Sequence, residues 1–157
     1  MDKLNFLVGV VGAGSMGGAI ASGLVASGAA DPSGVMAADP SEASRAALDE
    51  LGIRTFADAA EMVSAGPDVV VLAVKPQILP GVLAGLADLL AGRPVISIAA
   101  GVPLATLEAA LPTSRVVRVM PNLPVKVLSG ATAICAGSRA TAADVERARG
   151  IFGALGS

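Results

Sequence analysis

Histidine, tryptophan and tyrosine are missing from the 157 residues, and cysteine occurs once. Without histidine, and with a single cysteine, a zinc site of the usual His/Cys type is excluded, as is any mechanism that relies on a histidine base. Cys135 has no partner for an intrachain disulfide, which suits a reducing, cytoplasmic setting. Charge is scarce as well. Lys and Arg number 11 against 13 Asp and Glu, a net −2 at pH 7, so the basic footprint of a nucleic-acid binder is absent. Hydrophobic residues make up 54% of the chain and charged ones 15%, a balance that excludes intrinsic disorder. A chain of this length buries roughly 68–70% of its unfolded surface and needs neither disulfide nor metal to fold.

The stretch 4–30 carries no charge and is long enough to imitate a membrane span. Seven glycines inside it (Gly9, Gly12, Gly14, Gly17, Gly18, Gly23 and Gly28) make one continuous helix a poor fit. Asp2 spoils the basic start that a secretory leader requires, and Gly12 and Gly14 interrupt its apolar run early. A buried strand, a glycine turn and a buried helix account for the same letters, so neither a membrane nor a nucleic acid is expected as partner.

The rest of the chain alternates β-branched runs with Ala/Leu-rich stretches. Strands are expected at Phe6–Val11, Val35–Ala38, Arg54–Phe56, Val69–Val74, Pro94–Ile98, Arg115–Met120 and Ala131–Cys135. These runs are near-continuously apolar rather than alternating, as in parallel strands covered on both faces. Helices are expected at Met16–Ser27, Ser41–Leu51, Asp58–Ala65, Leu79–Leu90, Leu104–Ala110 and Ala142–Ala154. Asp58 with Glu61, and Thr141 with Asp144, have capping-box spacing. Pro103 suits a first helical turn. Such alternation implies βαβ units: an α/β fold with a doubly wound, mostly parallel, Rossmann-like sheet in a single domain.

Gly12-Ala13-Gly14-Ser15-Met16-Gly17 is a G-x-G-x-x-G that directly follows one expected strand and opens one expected helix, the context the dinucleotide fingerprint demands. Gly12 permits the turn, Gly14 lets a pyrophosphate approach, Gly17 lets helix and strand close up, and the helix N-terminus offers N–H donors. Asp39 ends the second strand at the distance where an acid meets the adenosine ribose and favours NAD. Ser41, Ser44 and Arg45 offer a 2′-phosphate site for NADP instead, and Asp39-Pro40-Ser41 also reads as a plain helix cap. Three further strand-end loops sit where open α/β sheets bind ligands. These are Val74-Lys75-Pro76-Gln77, Ser97-Ile98-Ala99-Ala100-Gly101, and Met120-Pro121-Asn122-Leu123-Pro124, where Asn122 offers a carboxamide. Cys135, between Ile134 and Ala136, reads as a buried inert thiol, and Met16 and Met120 as packing. No metal site is expected.

Taken in order, the stretches 12–20, 73–77, 97–102 and 118–124 resemble the amino-terminal domain of the pyrroline-5-carboxylate reductases, over nearly the whole chain. The ordered set Val-Lys-Pro, Ser-Ile-Ala-Ala-Gly-Val and Met-Pro-Asn is far more specific than the glycine loop alone. The resemblance implies an NAD(P)-dependent oxidoreductase of proline biosynthesis, acting on a C–N bond, that delivers hydride to the imine carbon of a cyclic imine, pyrroline-5-carboxylate. It further implies that Gly12, Ala13, Gly14, Ser15, Met16 and Gly17 hold the pyrophosphate, and that Asp39 and Ser41 lie at the ribose. Val74, Lys75, Pro76, Ala99, Ala100 and Asn122 would line the nicotinamide side; no residue is assigned as catalytic. The family's Met-Pro-Asn-Thr-Pro has Leu123 in the Thr place here. The family also continues into a helical dimerisation and substrate domain. Residues 1–157 are therefore expected to be the dinucleotide-binding domain without that partner, and exposed apolar surface is expected to favour self-association. Two other readings stand beside this one. The chain is either a dinucleotide-binding module without turnover, or a deazaflavin-dependent NADP reductase; the latter should lack Met120-Pro121-Asn122.

Overall fold

The computed structural model describes residues 3–120 and 133–155. Strands β1 (Val8–Val11), β2 (Val35–Ala38), β3 (Arg54–Phe56), β4 (Val69–Leu72), β5 (Pro94–Ser97), β6 (Arg115–Met120) and β7 (Ala133–Ala136) form one sheet in the order β3-β2-β1-β4-β5-β6-β7. Helices α1 (Ser15–Ala26), α2 (Glu42–Asp49), α3 (Ala59–Ser64), α4 (Leu79–Leu86), α5 (Leu104–Ala110) and α6 (Ala142–Leu155) complete it. The chain winds outward from β1 to β3, then returns to pair β4 on the other side of β1. Strands β1 to β6 pair in parallel, and β7 alone runs antiparallel to its neighbour β6. The mostly parallel, doubly wound expectation holds.

Two apolar layers explain why the central strand sequences read as near-continuous apolar runs. Val8, Val10, Val69 and Val71 point to one side with Ile20 and Leu24 of α1 and Ile151 and Phe152 of α6. Val11, Val70 and Leu72 point to the other with Met62 of α3, Leu83 of α4 and Leu107 of α5. Every second residue thus feeds a different layer, and each such side chain contributes about 1.5–3 kcal/mol when fully buried. Small residues set the spacing. A Cβ at Gly9 would sit 3.0 Å from Met62 Cε and from Pro67, and one at Gly23 would sit 2.5 Å from Leu155 Cδ2, so α3 and α6 approach where side chains are missing.

Polar groups tie the last unit to the sheet at the end where the parallel strands begin. Asp144, 1% exposed, accepts from Arg115 Nε (2.9 Å), Arg147 Nη1 (3.2 Å) and the Thr141 N–H (2.9 Å). The Asp144 N–H returns to Thr141 Oγ1, which completes the expected capping box. Burial alone would raise the Asp144 carboxyl, but the Thr141 N–H, the Arg115 guanidinium and the Thr141 side chain outweigh it and hold the group below its ordinary value. Glu108 binds the Ser138 N–H and hydroxyl nearby, and the Ser138 hydroxyl chiefly lowers its carboxyl. The other expected box is half formed: Asp58 caps α3 through the Ala60 N–H rather than that of Glu61. Pro103 stands one place earlier than expected, as the N-cap of α5.

Cys135 is a correction. It is exposed, not buried, because β7 closes the sheet at its outer edge and only Ile134 of its central pair turns toward the core. The strand itself runs to Ala136, and residues 131 and 132 lie outside the described residues. No described helix is long and apolar enough to cross a membrane.

Candidate functional site

The reversal of winding order between the parallel strands β1 and β4 leaves a crevice at their carboxyl ends, and the glycine loop fills its floor. The Gly12 N–H donates to Ala38 O at 2.8 Å, extending the β1–β2 ladder by one residue before the turn. Gly12 turns with φ +101, a conformation that L side chains rarely adopt. Gly14 is the N-cap of α1 and brings no capping side chain. The first bond of the helix is Gly18 N–H to Gly14 O at 2.7 Å, so the N–H groups of Ser15, Met16 and Gly17 have no intrahelical acceptor. No acidic side chain occupies that first turn. A Cβ at Gly14 would meet nothing within 4 Å, whereas one at Gly17 would collide with the Gly12 carbonyl oxygen. Of these two glycines, one keeps space open and the other lets the helix close on the loop.

Around this floor lies a cavity of about 400 Å³, lined by Gly12, Gly14, Ser15 and Met16 below, Asp39 at one end, and the loops after β4 and β5 on the far wall. That size lies within the roughly 300–1,000 Å³ of small-molecule sites. Ala73, Val74, Lys75, Pro76 and Ile78 come from the β4 loop, which tightens where the Lys75 carbonyl accepts from the Ile78 and Leu79 N–H groups. Ile98, Ala99 and Ala100 come from the β5 loop, pinned by the buried Ser97 hydroxyl accepting from the Ala99 N–H at 3.3 Å. Lys75 is exposed and is the one cationic side chain in the described lining. A second groove of about 640 Å³ meets the first at Gly14 and Ser15 but runs between α1 and α2, with no charged side chain in its lining.

Asp39, half-buried, lines the cavity while its carboxylate is held by two loops: Oδ2 accepts from the Ala13 N–H and Oδ1 from the Ser41 N–H, both at 2.8 Å. The cap of α2 is Ser41, whose hydroxyl accepts from the Ser44 N–H at 3.3 Å. The helix-cap role belongs to Ser41, and Asp39 sits outside the helix.

Residues 7–101 match the family described as NADP oxidoreductase coenzyme F420-dependent. The chain belongs to this family. Beyond that segment the likeness continues. The pyrroline-5-carboxylate reductase of Methanosarcina acetivorans is 43% identical over 156 residues, covering 98% of this chain and 57% of its own length. That of Arabidopsis thaliana is 35% identical over 154 residues, 97% of this chain and 55% of its own. Among solved structures, a pyrroline-5-carboxylate reductase from Coxiella burnetii superimposes with a TM-score of 0.89 at 33% identity, over 98% of this chain and 57% of that one. The pyrroline carboxylate reductase of Plasmodium falciparum, solved with NADP bound, gives 0.83 at 26% identity, over 98% and 56%. The chain spans a little over half the length of these relatives.

For this family member, the structure brings Gly12, Gly14, Ser15, Met16, Asp39, Val74, Lys75, Pro76, Ala99 and Ala100 to one cavity. Ala13 and Gly17 support it from behind, through the Asp39 bond and the close contact with Gly12. Ser41 is outside the lining, its N–H donating to Asp39 Oδ1. Asn122 lies outside the described residues. Ala73, Ile78 and Ile98 join the lining although the sequence reading left them out as site residues. For Ile78 the signal in the sequence was its place immediately after Val-Lys-Pro-Gln.

Proposed function

We propose that the cavity takes NADP or NAD, and that the chain is the cofactor-binding portion of a pyrroline-5-carboxylate reductase. The observation that carries this reading is the uncapped first turn of α1 under a side-chain-free Gly14, opening into the cavity between the β1, β4 and β5 loops. The loop from Gly12 to Gly17 would hold the pyrophosphate. Asp39 and Ser41 would flank the adenosine ribose, and Val74, Lys75, Pro76, Ala99 and Ala100 the nicotinamide, with Asn122 joining them by its place in the sequence. The dinucleotide, when bound, supplies a hydride for the C=N carbon of a cyclic imine. The chain's own work is to hold the phosphates, orient the ring and exclude water with the apolar wall of Ala73, Val74, Pro76, Ile78 and Ile98. Likeness over 98% of the chain to named pyrroline-5-carboxylate reductases favours an imine over a deazaflavin as hydride acceptor, since the broader family match stops at Gly101. A single unpaired thiol suits a cytoplasmic setting, and exposed Ile78 and Met120 favour self-association.

The test is a calorimetric titration with NADPH and NADH, followed by a steady-state assay of pyrroline-5-carboxylate reduction, with light scattering to report the oligomer. Binding with little turnover is expected. Hydride transfer requires the imine to be held within about 3–3.5 Å of the nicotinamide, and the chain spans 57% of the Methanosarcina relative. Absence of binding to either dinucleotide overturns the reading. Turnover equal to that of a full-length relative would mean that these loops build the substrate site themselves, with Lys75 and Asn122 the first residues to replace.

A further inference from the structure

We propose that Asp39 is a positioning residue, a latch that fixes the glycine loop for phosphate whatever group the ribose carries at its 2′ position; this rests on the dinucleotide reading above. An acid at the end of β2 ordinarily suggests a contact to ribose hydroxyls. Here the carboxylate already has partners, and they are backbone groups of two different loops. One oxygen takes the Ala13 N–H and the other the Ser41 N–H, each at 2.8 Å. Ala13 is 6% exposed, so its N–H has no ready substitute in solvent. Asp39 is itself pinned to the sheet, its N–H donating to Phe56 O at 3.0 Å and its carbonyl accepting from Arg45 Nη1 at 3.4 Å.

The consequence lies one residue further on. Consecutive N–H groups, those of Gly12 and Ala13, both bond to the end of β2, through Ala38 O and Asp39 Oδ2. Gly14 follows directly as the N-cap of α1, so a shift of Ala13 displaces the first turn, whose Ser15 and Met16 line the cavity. An ionised carboxylate can accept about four hydrogen bonds and two are in use, so a ribose contact can coexist with the latch. The two roles differ in which ligands feel the loss.

In the experiment, Asp39→Asn and Asp39→Glu are titrated with NAD, NADP and inorganic pyrophosphate. The latch predicts that Asp39→Asn weakens all three by a similar factor, about ten- to a hundredfold, the worth of a charge-assisted hydrogen bond. A role confined to ribose would spare pyrophosphate and shift the NADP to NAD ratio. Simple charge repulsion would tighten every anion in the Asn variant and leave Asp39→Glu like the parent. Either pattern overturns the proposal, whereas Asp39→Glu, whose oxygens are displaced, is expected to weaken binding as Asn does. A ligand-free arm measures amide hydrogen exchange. Ala13 and Ser41 should exchange faster in Asp39→Asn while β4 and β5 keep their protection, which also shows that the variant folds. Unchanged exchange at Ala13 overturns the latch directly. If the parent chain binds neither dinucleotide nor pyrophosphate, the cofactor reading fails, and the exchange arm still decides the latch.

Discussion

A side chain placed at Gly14 and one placed at Gly17 should have opposite consequences, although the two residues share one loop. At Gly17 a Cβ falls against the Gly12 carbonyl oxygen, far inside the 3.0 Å that real contacts respect, and the obstacle is backbone. Helix propensity alone would favour Gly17→Ala by about 1 kcal/mol. Overpacking against a fixed neighbour typically costs 1–3 kcal/mol, and a backbone clash belongs at about 3 or above. The clash wins, and the net loss of about 2 kcal/mol or more lowers Tm by roughly 4–8 °C at this chain length. At Gly14 the same added atom meets nothing, and the residue's φ of −74 and ψ of −154 are compatible with a β-branched side chain. Gly14→Val should therefore stay within about 1 kcal/mol of the parent, the difference being a poorer N-cap. It should nevertheless remove two or more charge-assisted bonds to phosphate, about 1.5–3 kcal/mol each, so affinity falls at least a hundredfold. Thermal unfolding by circular dichroism reads the first quantity and calorimetry with NADPH the second, since there is no tryptophan to follow. A Gly14→Val variant that binds normally, or a Gly17→Ala variant that is stabilised, would refute the reasoning.

Two more outcomes follow from the polar groups. Asp144→Ala should cost about 2–3 kcal/mol, from lost bonds to arginine and a lost cap, measured as a drop in urea midpoint. The carboxyls of Asp144 and Glu108 lie below their ordinary values of 3.8 and 4.5 in the folded chain, so the unfolded chain binds more protons there. The stability they contribute is complete above those values and is lost as pH falls through the folded ones, and Asp144→Asn should flatten that acid slope. Lys75→Gln should leave Tm unchanged, because the side chain is exposed and touches no core, yet weaken NADPH by about three- to tenfold through loss of a nearby cation. An unaffected affinity would place Lys75 away from the ligand.

The central strands were legible because both faces are buried and nearly every residue of the run is apolar. Their ends were not. The run Val69–Val74 overshoots β4 by two residues, and Pro94–Ile98 overshoots β5 by one. Ala73, Val74 and Ile98 line the cavity, and composition does not distinguish a cavity wall from a strand. The glycine loop was legible because backbone geometry forces residue type at Gly12 and Gly17. The Asp39–Ala13 bond was not, since it joins residues 26 apart through a backbone donor that any amino acid other than proline would supply. Cys135 misled for a topological reason. Ile134-Cys135-Ala136 has the letters of an interior strand, and its place as the last member of the sheet is set by pairing with β6.

The ion pairs of the described residues, Lys3–Asp31, Arg115–Asp144, Arg139–Glu108, Arg147–Asp144 and Arg149–Glu146, are formed by segments that precede strands, by the first residue of β6, and by α5, α6 and the turn before α6. The rim that faces the cavity is held differently, by neutral backbone bonds, the Ser97 hydroxyl and the one Asp39 carboxylate. Amide hydrogen exchange is expected to reveal this difference along the strand axis, with the loops at the carboxyl ends opening at a lower free energy than the strand beginnings. Substitution of surface charge at the strand beginnings should then leave the loops around the cavity unaltered.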